Sequence, residues 1–152
     1  MDAIQLLKAD HKLVKGLLSE LTETSERATK KRADLLHEIQ VNLTAHTTIE
    51  EEIFYPAFKE AGKKAEAKMY FEAVEEHRAA EDLVLPDLLK TDPGSVEFSG
   101  RAKVLKELIE HHADEEEKEM FKDAKQLLSA DELKDLGAQM EARKNEVIAS
   151  LQ

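Results

Sequence analysis

The chain contains no cysteine, and of its 152 residues only three are proline and five glycine. The first absence rules out a disulfide framework, a cysteine-based zinc finger, an iron–sulfur cluster and a thiol nucleophile. The second makes turn-dense β architectures a poor match, because these place glycine and proline at frequent turns. Basic charge is also short: 22 Lys and Arg stand against 33 Asp and Glu, a net charge of −11. Such a surface argues against a nucleic-acid groove or an anionic membrane as partner. No apolar run reaches the roughly 18 residues of a membrane span. The opening MDAIQLLKADHK lacks the basic start and apolar stretch of a secretory signal, so a soluble, cytoplasmic protein is expected.

What is present is charge and hydrophobicity in helical alternation. Charged residues make up 36% and hydrophobic residues 41%, the balance of amphipathic helices rather than of a disordered chain. The length fits one domain, residues 1–152. Periodicity predicts helices over about 3–22, 31–61, 65–90 and 98–128, with a kink at Pro56, a disturbed last turn at Pro86 and a clear loop at Thr91-Asp-Pro-Gly-Ser. Ser129-Ala-Asp-Glu132 reads as a capping box opening a fifth helix over about 130–151. Four long helices with short connections imply an all-α, up-down-up-down four-helix bundle, with the C-terminal helix packed outside it or across one end.

Each bundle helix carries an apolar stripe stepping three and four residues, which keeps its members on one face. The stripes are Ile4, Leu7, His11, Val14, Leu18, Leu21; Leu36, Ile39, Leu43, His46, Glu50, Ile53, Ala57; Ala67, Tyr70, Val74, His77, Glu81, Val84, Leu88; and Phe98, Leu105, Ile109, His112, Glu116, Met120, Leu127. Every stripe holds a histidine where a hydrophobe is expected, and three hold a glutamate one turn later. A single histidine on an apolar face is usually a satisfied core residue. Four on four helices, accompanied by carboxylates that would otherwise be buried unpaired, call for a cationic partner. At about 1.5 Å of rise per residue, antiparallel packing brings them all into a band about 12–24 Å from one end of the bundle.

Imidazole and carboxylate donors projecting inward from facing helices suit iron, manganese or zinc, and the lack of thiolate disfavours copper(I). Six or seven ligands exceed one tetrahedral ion. Two ions sharing Glu50 and Glu116 as bridges, with His11 and His77 adding one imidazole each, fit better. That leaves positions for an oxo or hydroxo bridge and an exogenous ligand.

The ordered set His11, His46-Thr-Thr-Ile-Glu50, His77 and His112-Ala-Asp-Glu-Glu116 resembles the hemerythrin-like family, the hemerythrin HHE cation-binding domain. Leu-Lys-Ala-Asp-His near the start, Glu-Glu-Glu-Ile-Phe-Tyr-Pro after His46 and Glu-His-His before the acidic run are similar to it as well. The resemblance extends from about Asp2 to the end of the fourth helix. It implies a non-haem di-iron centre that binds or reacts with dioxygen, peroxide or nitric oxide. The oxygen-carrying members usually place a second histidine where this chain has Glu81. A carboxylate there, whether a seventh ligand, an outer acceptor or a partly solvated group, favours oxidised metal and reactive or sensing roles over reversible carriage.

The other candidates read as bystanders. His37 lies off its stripe, and His111 points away from Leu105, Ile109 and Glu116, which His112 joins. Tyr55 faces away from Glu50 on an ideal helix and reads as a boundary residue unless Pro56 moves it. Asp10, Glu76 and Glu110 read as solvated charges, as does the run Glu115–Glu119 apart from Glu116. A ligand-binding or sensing protein, an oxidant-consuming enzyme and an iron-handling or storage protein all fit the site, whereas a metal-free helical module leaves the inward histidines unexplained. His37→Ala is expected to leave the metal content of the purified protein unchanged, as elemental analysis would show.

Overall fold

The computed structural model describes residues 1–152 as helices and short connections, without a β-strand. Helix α1 is Ala3–Glu23. Helix α2 covers residues 29–61: Thr29–Ile49 and Tyr55–Ala61 are α-helical and Glu50–Phe54 between them is a π-helical turn. Helix α3 covers residues 64–89, with a π-helical stretch at Arg78–Val84. Helix α4 covers residues 96–127, with a third π-turn at Glu116–Met120. Helix α5 is Ala130–Leu151.

Local chemistry sets the starts. Asp2 and Gln5 form a reciprocal capping box at α1, and Ser129 and Glu132 form another at α5. Ser95 closes the Thr91–Ser95 loop by accepting from the Phe98 N–H at 3.2 Å. Neither Pro56 nor Pro86 breaks its helix. Each follows a π-turn by two residues, and a proline there lacks the N–H that an unbroken α-ladder would demand.

Pairs across the interfaces fix the directions. Between α1 and α2, Asp10 meets His46 and Thr24 meets Arg32. Thr47 meets Glu81 and Glu51 meets His77 between α2 and α3. His11 meets Glu117 and Lys15 meets Asp114 between α1 and α4. Rising numbers pair with falling ones each time, so neighbouring bundle helices run antiparallel. Helix α5 lies against α1 and α2. Gly137 abuts the backbone of Met1–Ala3 and Lys144 bonds Asp10, so α5 runs parallel to α1.

The interior is two apolar cores divided by a polar layer. One core gathers Ile4, Leu7, Ile49, Phe54, Phe58 and Phe121 with Leu133 and Met140 of α5. The other gathers Val14, Leu18, Ile39, Leu88, Phe98 and Leu105. Between them lie buried His11, His46, Glu50, His77, His112 and Glu116.

Gly137 sets how closely α5 approaches the chain start. A methyl there would lie 2.4 Å from the Met1 carbonyl oxygen and 2.8 Å from the Asp2 carbonyl carbon, both backbone atoms that cannot swing aside. Gly137→Ala gains about 1 kcal/mol of helix propensity, but forcing the helices apart costs about 1–3 kcal/mol. A net loss of stability is expected, read as a lower midpoint in chemical denaturation.

Candidate metal centre

The polar layer holds two overlapping groups of side chains. His11, His46, Glu50 and Glu116 place one ligand atom each within 4.8 Å of one another, and so do Glu50, His77, His112 and Glu116. Both glutamates belong to both groups. His46 Nε2 and His77 Nε2 lie 3.0 and 3.1 Å from Glu50 Oε1. His11 Nε2 lies 3.1 Å from Glu116 Oε1, and His112 Nε2 3.2 Å from Glu116 Oε2.

Each imidazole is held from behind. His11 Nδ1 is 2.7 Å from Glu117, His46 Nδ1 2.9 Å from Asp10, His77 Nδ1 2.9 Å from Glu51 and His112 Nδ1 2.7 Å from Glu76. A carboxylate only accepts, so every Nδ1 carries the proton and donates. The pairing is cyclic, because α1 holds the histidine of α2, α2 that of α3, α3 that of α4, and α4 that of α1. In α1 and α3 the supporting residue precedes the helix's own histidine; in α2 and α4 it follows the helix's own glutamate. On antiparallel helices these opposite offsets turn in the same sense.

With the Nδ1 protons spoken for, a neutral imidazole presents its Nε2 lone pair inward. There it meets carboxylate oxygens and, for His77 and His112, the other ring's Nε2 at 3.0 Å. Such contacts repel unless positive charge lies between them. His11 Nε2, His46 Nε2, both Glu50 oxygens and Glu116 Oε1 are buried without a hydrogen-bond partner. Orphaned acceptors of this kind carry a large desolvation penalty. Metal ions of about 2.0–2.2 Å ligand distance would satisfy them, since opposing donors then stand about 4 Å apart. The donor set fits the metal centre that the sequence implies.

Tyr55 corrects the reading of it as a boundary residue. It is fully buried, donates to Glu116 Oε2 at 2.5 Å, and its hydroxyl oxygen stands 3.3 and 3.4 Å from the Nε2 atoms of His77 and His112. The cause is the π-turn. Its widened loop, closed by the Tyr55 N–H on the Glu50 carbonyl, inserts one residue into the helical count and turns Tyr55 inward. Asp10 and Glu76 are likewise supports of histidines rather than solvated charges. Glu117, read with its run as a solvated charge, and Glu51, which carried no stripe signal, perform the same task; what marks them is that each directly follows an inward glutamate. Glu110 stays on the surface side, 3.8 Å from Lys106.

Glu81 lies outside both groups. Its Oε1 accepts from Thr47 Oγ1 at 2.8 Å. It lines a narrow cavity, walled by Val14, Leu43, Ala80 and Ile109, that reaches all four histidines and has room for a molecule on the scale of one water. His37 and His111 are exposed, and His111 faces Glu76 and Glu115 at the surface.

Without metal, protons must offset this charge. Burial disfavours the imidazolium forms, but Glu50 and Glu51 raise His77 to about 9, and Glu116 and Glu76 raise His112 to about 10. Burial pushes Glu81 up to about 7, against the Thr47 hydrogen bond that lowers it. Burial would also raise Glu116, yet its close contacts with Glu50, His11 and His112 outweigh it and hold it well below the ordinary carboxylate range.

Residues 2–124 match the family model described as the hemerythrin HHE cation binding domain. The uncharacterised protein Rv2633c of Mycobacterium tuberculosis is 32% identical over 144 residues, 94% of this chain and 85% of the relative. A DNA nickase of Nostoc sp. is 25% identical over 148 residues, which span 97% of this chain but 40% of the nickase. The crystal structure of a hemerythrin HHE cation binding domain-containing protein from Mycobacterium kansasii, a homologue of Rv2633c, superposes with a TM-score of 0.85. It is 30% identical, covering 99% of this chain and 89% of that one.

The pH dependence of the metal-free chain follows. Groups raised in the folded state stabilise it fully below their unfolded values and lose that contribution as pH rises through the folded ones. Glu81 withdraws its contribution between about 4.5 and 7, and His77 and His112 withdraw theirs from about 6.5 through 9 and 10. Metal-free protein should melt at steadily lower temperature from pH 5 to pH 10, and metal-loaded protein should show a flatter profile, both read by circular dichroism.

Proposed function

The chain belongs to the hemerythrin HHE cation-binding family, and on that premise we propose that it holds two iron ions between four histidines and two glutamates and uses them to bind dioxygen or react with small oxidants such as peroxide and nitric oxide. The observation that carries this reading is the overlap of the two ligand groups. Glu50 and Glu116 are common to both, as bridging carboxylates must be. His11 and His46 would serve one ion, His77 and His112 the other. Bound iron supplies a Lewis-acidic, redox-active place for an oxidant.

The chain's own residues do the rest. Asp10, Glu51, Glu76 and Glu117 fix the ring orientations and strengthen the imidazoles as donors. The Tyr55 hydroxyl oxygen stands 2.5 Å from Glu116 Oε2, and burial with Glu116 and Glu50 nearby holds the hydroxyl well above its ordinary value of 10.0, so it remains a donor. The apolar walls of the cavity limit the exogenous ligand to a few atoms and keep bulk water out. Glu81, fixed by Thr47 beside that cavity, supplies the carboxylate that separates this site from the oxygen-carrying pattern and supports oxidant chemistry over carriage. No helix is long and apolar enough to cross a membrane, and we place the protein in the cytoplasm.

The test is elemental analysis of purified protein combined with absorption spectra before and after hydrogen peroxide. Two irons per chain, with near-ultraviolet bands that change and recover as peroxide is consumed, are expected. Two irons without turnover would move the function to ligand binding, sensing or storage. Absence of metal even after anaerobic iron reconstitution would overturn the reading. Glu50→Ala and Glu116→Ala should each lose the paired centre, and retention of two irons in both would refute their bridging role.

A further inference from the structure

One of the four supporting carboxylates is unlike the others. The side chains of Glu51, Glu76 and Glu117 are 39%, 24% and 33% exposed, so water carries part of their charge. The Asp10 side chain is 5% exposed and lies beneath α5. A buried carboxylate cannot lean on water and needs a cation. Lys144 of α5 provides it, donating from Nζ to Asp10 Oδ1 while Oδ2 accepts from His46 Nδ1 at 2.9 Å. No Lys or Arg pairs with the other three carboxylates.

We propose that Lys144 is a positioning residue of the metal centre, holding Asp10 and through it His46, so that the C-terminal helix is part of the site and the His11/His46 metal position depends on it. The inference rests on the reading that these histidines and glutamates hold metal. Both Asp10 oxygens are engaged, one by the lysine and one by the imidazole, and this sets the plane of the carboxylate and with it the angle of the His46 ring. The ammonium also draws on the charge that Asp10 would otherwise direct wholly at His46. The His77/His112 position has no such cation, so the two metal positions differ electronically.

Anaerobic iron titration in competition with a chelator tests this. Wild type should take two irons. Lys144→Met should bind the second iron about ten-fold or more weakly, the scale typical of losing an outer partner of a metal-bound histidine, and Lys144→Arg should restore it. Arg143→Gln breaks the neighbouring α5 contact with Glu52, seen at 2.8 Å, and should keep both irons at wild-type affinity. The double variant Asp10→Asn with Lys144→Met should bind no more weakly than Asp10→Asn alone, because the lysine acts through the aspartate. Circular dichroism of each metal-free variant separates folding from binding, and Asp10→Asn with and without Lys144→Arg replaces the Lys144→Met series should that not fold. Wild-type affinity in Lys144→Met, equal weakening in Arg143→Gln, or additive effects in the double variant would overturn the proposal. A wild type that takes no iron would instead overturn the metal reading itself, and this with it.

Discussion

Charge balance in one buried layer governs this molecule. Glu50 and Glu116 lie within the interior, four carboxylates stand behind the histidines, and Lys144 is the one ammonium in contact with them. Protons on the imidazoles and cations bound between them are alternative sources of positive charge for that layer, so metal bound there would displace protons. The apolar cores on either side sharpen the requirement, because they remove the water that would otherwise dilute any imbalance.

The same layer joins the fold together. Each bundle helix contributes to it in two ways, with inward histidine or histidine and glutamate side chains and with a carboxylate for a neighbour's histidine. The hydrophobic cores supply the bulk of the burial but are tolerant of apolar side-chain exchange at similar volume. The polar layer is stricter, since a shift of one helical residue would misplace both a ligand and a support. Helix α5 enters this scheme through Lys144, while its hydrophobic residues Leu133 and Met140 extend the core next to the site.

Most of this was readable from periodicity up to the middle of each helix and less so beyond. Four histidines and two glutamates stood on apolar stripes, and the structure gathers them in one layer. Beyond the layer burial shifts by one residue after the π-turns at several positions. Phe54 and Phe58 are buried where Ile53 and Ala57 were expected, Leu85 where Val84 was, and Leu128 where Leu127 was, although Leu88 and Met120 are buried as expected. Periodicity assumes a uniform 100° per residue, and an inserted residue resets the phase. That reset hid Tyr55. Pro56 and Pro86 were the visible traces of two of the turns, read as a kink and a disturbed end; the third, at Glu116–Met120, has no proline to mark it. Asp10 and Glu76 were misjudged for another reason. Each serves the histidine of the next helix rather than the one beside it in sequence, and helical periodicity carries no information about which neighbour a flanking residue faces.

The cyclic order of those supports has a mechanical consequence. Every bundle helix gives a carboxylate to one neighbour and has its own histidine held by the other, so the ring of contacts is closed. Turning any one helix about its axis disturbs two of these pairs at once, one through its carboxylate and one through its histidine. The four helices are thus tied as a ring rather than as two separate pairs, and none can rotate without drawing on both neighbours.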